Sequence, residues 1–122
     1  MTADFRNLAI RQLKDYRDNN PGTCFEDSNF TLDVNSAYKL QDTVTELRVS
    51  QGEEVIGYKV GCTGSGTLRQ FGMEGPIRGT LFASEILNNG AELDFSSFTN
   101  LAIEGEMAVR IGAKGEIASA FP

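Results

Sequence analysis

An α+β fold follows from the order of signals in this chain. Two stretches of helical periodicity lie in the first fifty residues, and after Gly52 short β-branched and aromatic segments alternate with glycines. Helices first and strands second favour helices packed beside a mixed or antiparallel sheet over an alternating parallel-sheet fold. With 122 residues, 40% of them hydrophobic, the chain has the size of one domain with its own core.

The first helix is expected from Asp4 to about Asp18, where Phe5, Leu8, Ala9, Leu13 and Tyr16 fall on one stripe at helical spacing. Asn19-Asn20-Pro21-Gly22 should stop it, and a loop should run to about Phe30. Asp33 or Asn35 can cap a second helix, with Val34, Ala37, Tyr38, Gln41, Val44 and Arg48 on one side and Gly52 at its end. Strands are expected near 55–62, 79–83, 101–112 and 116–120. There is no internal repeat, low-complexity tract or linker.

Composition excludes several function classes. Seventeen acidic residues against eleven basic ones give a net charge of -6, and no basic patch is visible, which argues against nucleic-acid and anionic-membrane partners. The chain has no histidine, so Ser-His-Asp and Cys-His triads, HExxH zinc sites and histidine bases are all ruled out. Cys24 and Cys62 have no CxxC spacing and read as reduced thiols. No apolar run reaches the roughly 20 residues of a bilayer span, and the first twenty residues lack a secretory pattern, so a cytoplasmic location is expected.

Three stretches invite a chemical reading. "GCTGSGTL" has two glycines at phosphate-loop separation, but Thr67 stands where the loop's lysine belongs, and the dinucleotide pattern fails at Arg69. An ordinary turn is the better reading. In "VIGYKVG" an extended chain puts Gly57, Lys59 and Gly61 on one face and Ile56, Tyr58 and Val60 on the other, leaving an amine on a nearly bare surface. That pattern fits either an edge strand with a solvated lysine or a strand with room for a ligand. In "LAIEGEMAVRIG" an extended chain gives Glu104 and Glu106 a common face, about 6.6–6.8 Å apart along the strand. Two such carboxylates suit a hard divalent ion, or a solvated face on which one of them pairs with Arg110.

Together, "GYKVGCT" (57–63), Gln70, "GMEGPIRGTLFASEIL" (72–87), Gly90 and "IEGEMAV" (103–109) resemble the 2-keto-4-pentenoate hydratase and 4-oxalocrotonate decarboxylase family, within the fumarylacetoacetase-like superfamily. The helix "NSAYKLQDTV" (35–44) matches a family helix carrying Ala-Tyr and a glutamine. The resemblance implies a β-rich fold of that superfamily, of which this chain is the N-terminal half, and an enzyme acting on 2-oxo or 2-hydroxydienoic acids from aromatic-ring degradation. It implies Mg2+ or Mn2+ on Glu104 and Glu106, Lys59 as the catalytic residue, and Gly57, Gly61, Thr63 and Gln70 in substrate binding. A small-molecule substrate and a homo-oligomer are the partners it implies. Hydration and decarboxylation share an enolate-like intermediate, so both stay open. An acylpyruvate-type hydrolase on the same metal platform and a non-catalytic subunit that binds a relative are the competing readings. The family's third acidic ligand is expected beyond "ASAFP", and Glu116 in "AKGEI" reads as part of a hairpin turn.

Overall fold

A computed structural model describes residues 4–20, 22–26 and 29–122. Helix α1 spans Phe5–Arg17, and its first turn is closed by the Asp4 carboxylate, which accepts from the Asn7 backbone N–H at 3.2 Å. Pro21, part of the expected helix stop, lies outside the described residues, as do residues 27 and 28 of the expected loop. Beyond α1 the chain turns back onto it. The buried carboxylate of Asp15 accepts from both the backbone N–H (2.7 Å) and the hydroxyl (2.8 Å) of Thr23, and Arg11 donates to the Thr23 hydroxyl and carbonyl oxygens. These bonds satisfy a carboxylate that would otherwise be costly to bury.

Helix α2 spans Val34–Ser50, with Asp33 as its N-cap accepting from Ser36 N–H at 2.7 Å, and Gly52 at φ 94° beyond its end. Strand β1 (Val55–Gly61) pairs antiparallel with β2 (Ile77–Phe82), placing Lys59 opposite Gly79 and Val60 opposite Arg78. A short helix, α3 (Ser65–Phe71), lies between them and ends at Gly72, whose φ of 63° is left-handed. Here the expectation of an ordinary turn is corrected: seven residues are too few to display an amphipathic period, so α3 leaves little trace in the sequence.

Helix α2 runs along the outer edge of β2. Tyr38 Oη accepts from the Arg78 backbone N–H, Gln41 Nε2 donates to the Arg78 carbonyl, and the hydroxyls of Thr45 and Thr80 meet at 3.4 Å. One turn further, Arg48 stacks on Phe82 with its guanidinium carbon 3.5 Å from the ring centroid. The same guanidinium bonds Glu53, just before β1, and Glu85, just after β2. Tyr16 of α1 donates to Glu85, so both helices and both strand ends meet at one arginine.

The second half is more open. Strands β3 (Ala108–Ile111) and β4 (Ile117–Phe121) form a separate antiparallel hairpin, turned at Gly115 with φ 82°. The expected strand over 101–112 is therefore corrected to 108–111; residues 101–107 are irregular because no described strand pairs with them. The architecture is α+β with two small antiparallel sheets instead of one. Among the described residues the buried apolar ones are Ala9, Leu13, Cys24, Leu40 and Phe82, and none from Ala83 to Pro122 is buried.

Candidate functional site

Lys59 sits at the centre of β1, and its ladder partner Gly79 has no atom within 4 Å of the place a Cβ would occupy. The face around the lysine is therefore bare, as the two flanking glycines indicate. What was not readable from β1 alone is what fills that space. Lys59 Nζ lies 3.3 Å from Glu104 Oε2 and makes a shorter contact with Glu106 Oε1. The three side chains meet across 45 residues of sequence or more, on a part of the molecule where all of them remain exposed.

The two glutamates do converge, although not for the reason of strand alternation, since neither lies on a strand. Both carboxylates reach the same cationic atom. Hydrogen bonding to Glu106, then to Glu104, raises the Lys59 pKa above its ordinary value, so the amine is an ammonium at neutral pH. As it stands, the cluster offers a positive charge and a proton donor, and the lysine cannot serve as a base while both carboxylates hold it.

Gly57 and Gly61 flank Lys59 on its face, where added Cβ atoms would stand 4.0 Å from Leu81 and 3.6 Å from Ile77. Those are ordinary contacts, so packing does not require glycine at either position. Thr63 and Gln70 are exposed, and among the described residues no hydrogen bond joins them to Lys59, Glu104 or Glu106. Between Lys59 and Thr63 the backbone is constrained: Cys62 adopts φ 54°, uncommon for a residue with a side chain, where the chain leaves β1 for α3. Glu116 accepts from the Lys114 backbone N–H at 3.0 Å within the hairpin turn, in keeping with its reading as a turn residue.

Among the described residues no three His, Cys, Asp or Glu side chains are gathered to hold a metal ion, and no helix is long and apolar enough to cross a membrane. A mostly apolar cleft of about 270 Å³ between α1 and α2 lies elsewhere, lined in part by Phe25, Leu32 and Leu40. Sequence reasoning placed Tyr38 and Gln41 in a recognisable helix without assigning them a task. Their three-residue spacing, which puts two polar groups on one helix face, was the available signal for the clamp on Arg78.

Comparison with known proteins bears on what this cluster serves. No family model matches the chain. A 2-keto-4-pentenoate hydratase of Burkholderia vietnamiensis is 34% identical over 77 residues, covering 63% of this chain and 29% of the relative. The relatives described here are hydratases by name. A 2-keto-4-pentenoate hydratase of Dechloromonas aromatica is 27% identical over 78% of the chain and 36% of its own length. A 2-hydroxypent-2,4-dienoate hydratase of Pseudomonas putida is 30% identical over 73% of the chain and 36% of its own length. The chain thus spans about a third of the length of the curated hydratases it matches.

Proposed function

We propose that this chain carries the lysine and two of the carboxylates of a metal-dependent hydratase of 2-hydroxydienoic acids, compounds of aromatic degradation, built on a fumarylacetoacetase-like fold. The observation that carries the reading is the convergence of Glu104 and Glu106 on the Lys59 ammonium, in a chain whose relatives are hydratases. The ammonium occupies the position of a cation between two oxygen donors. Such a donor set suits Mg2+ or Mn2+ in kind, with water and substrate oxygens filling further positions.

When bound, the ion would supply Lewis-acid stabilisation of the negative charge that develops on the substrate's 2-oxygen. Glu104 and Glu106 would hold it. Lys59, relieved of its two carboxylate partners, would present its ammonium to the anionic substrate as a charge and a proton source. Gly57, Gly61 and Gly79 keep the surface around that amine clear. Thr63 and Gln70 would contact substrate from the connection to α3 and from α3 itself. The reading is cytoplasmic and homo-oligomeric.

The test separates metal binding from turnover. Reductive methylation with 13C-formaldehyde gives Lys59 an NMR signal, and Mg2+ or Mn2+ titration should move it as the carboxylates are taken away. Glu104→Gln with Glu106→Gln should abolish the metal response. A signal unmoved by millimolar metal would remove the metal from the reading. Consumption of 2-hydroxypenta-2,4-dienoate is then assayed with the chain joined to the remaining hydratase portion, where Lys59→Met is expected to be inactive at unchanged folding.

A further inference from the structure

We propose that the outer edge of β1, with the exposed apolar surface around it, docks polypeptide equivalent to the part of the hydratases that this chain does not match. The inference rests on the hydratase reading for its partner, and on the backbone for its place. Arg78 directs its N–H and C=O outward to Tyr38 and Gln41 on α2. In an antiparallel ladder the residue opposite must then direct its own groups away as well. That residue is Val60, and Tyr58, opposite Thr80, has the same parity.

Two consecutive outward positions of β1 therefore present an N–H and a C=O apiece to the side away from β2. Among the described residues nothing outside the ladder bonds to them. Helix α2 closes the β2 edge of this ribbon and leaves the β1 edge free. An unpaired strand edge is a template for a further strand.

The exposed surface is larger than a compact monomer of this mass presents. A monomer of 13.3 kDa is expected to expose about 6,450 Å². This chain exposes 9705 Å². The excess, about 3,250 Å² on one partner, exceeds the roughly 800 Å² per partner of a standard complex and lies above the range of most obligate dimers. Large apolar side chains of β1 itself are part of it: Ile56 is 49% exposed, Tyr58 60% and Val60 55%, and Ile103, next to Glu104, is 92% exposed.

The size of that deficit selects the occupant. The hydratases extend over about twice as much further chain as they share with this one, so they contain enough polypeptide to cover such an area. A second copy would bring its own uncovered excess with it and leave much of that area still exposed.

The experiment co-expresses this chain, tagged, with the longer of the two portions flanking the matched stretch of the Burkholderia vietnamiensis hydratase. The expected result is co-purification as a 1:1 complex, with amide exchange at Tyr58 and Val60 slowed at least 10-fold relative to the chain alone. Val60→Pro removes an outward N–H without breaking a bond to β2 and should weaken the complex at least 10-fold while keeping the helical circular dichroism. Ile103→Glu, at a side chain already in water, is the second variant and should also weaken it. Failure to recover the hydratase portion with the chain overturns the proposal. So does undiminished binding by both variants, or a dimer of this chain alone that protects the same amides. Complex formation is read without turnover: a complex lacking activity refutes the catalytic reading only, and lysine and metal responses without a complex refute this one only.

Discussion

Replacing Arg48 by alanine tests how the helices hold β1 and, through it, Lys59. Arg48 is 9% exposed. It donates to Glu53 at 3.0 and 2.5 Å, pairs with Glu85 at 2.8 Å and lies on the Phe82 ring. Severing a fully buried pair costs about 3–5 kcal/mol. Glu53 and Glu85 retain side-chain exposures of 22% and 31%, so water recovers part of that, and about 3 kcal/mol is expected once the lost ring contact is included. At about 2.1 cal/mol/K per residue, unfolding 122 residues carries roughly 260 cal/mol/K, which converts the loss to a fall in Tm of about 12 °C. Thermal melts by circular dichroism and urea titration measure it. Arg48→Met combined with Glu53→Gln and Glu85→Gln should recover at least half of the loss, because no carboxylate is then stranded. A fall below about 4 °C for Arg48→Ala, or a triple variant as unstable as the single one, would refute the account of this cluster.

Other consequences are open to simpler measurement. Gly61→Ala places its methyl 3.6 Å from Ile77, so the melting temperature should hold or rise slightly; with binding of a 2-hydroxydienoate assayed in parallel, a selective loss of affinity would mark this glycine as ligand-facing. Asp33→Ala removes the α2 cap and should cost about 1 kcal/mol in urea unfolding. Stability should also decline in acid. Hydrogen bonds from Thr23, Ser36 and Arg48 hold the carboxyls of Asp15, Asp33 and Glu53 below their ordinary values. Each therefore contributes stability present above the unfolded pKa of about 4 and lost as pH falls through its lower folded value, which melts taken from pH 7 to pH 2 would follow.

Much of the helical half was legible because its determinants are local. The stripe from Phe5 to Tyr16, the cap at Asp33 and the stop at Gly52 each act within a few residues, and α1 and α2 fall where these signals put them. Arg48 stood among the residues on one side of α2, but its pairs with Glu53 and Glu85 come from outside the helix and were not readable there. The strand half depends on partners distant in sequence. Alternation from Leu101 to Ile111 put Glu104 and Glu106 on a common face, but an alternating pattern forms a strand only where another strand supplies the ladder, and here that begins at Ala108. The bare face of Lys59 could be read from its glycines. Its meeting with Glu104 and Glu106 could not be derived from β1, because contacts across more than forty residues are set by how the chain returns.

The clamp of Tyr38 and Gln41 on Arg78 has a consequence for how this molecule can assemble. A two-stranded ribbon with both margins open can add strands in either direction and so propagate without limit. Here α2 acts as a stopper on one margin, which gives the β1–β2 ribbon a valence of one. Whatever joins at Tyr58 and Val60 extends it in a single direction, and a copy of the ribbon joined there would present its own stopper to the outside. Growth at this sheet would thus terminate at a pair instead of continuing into a fibre.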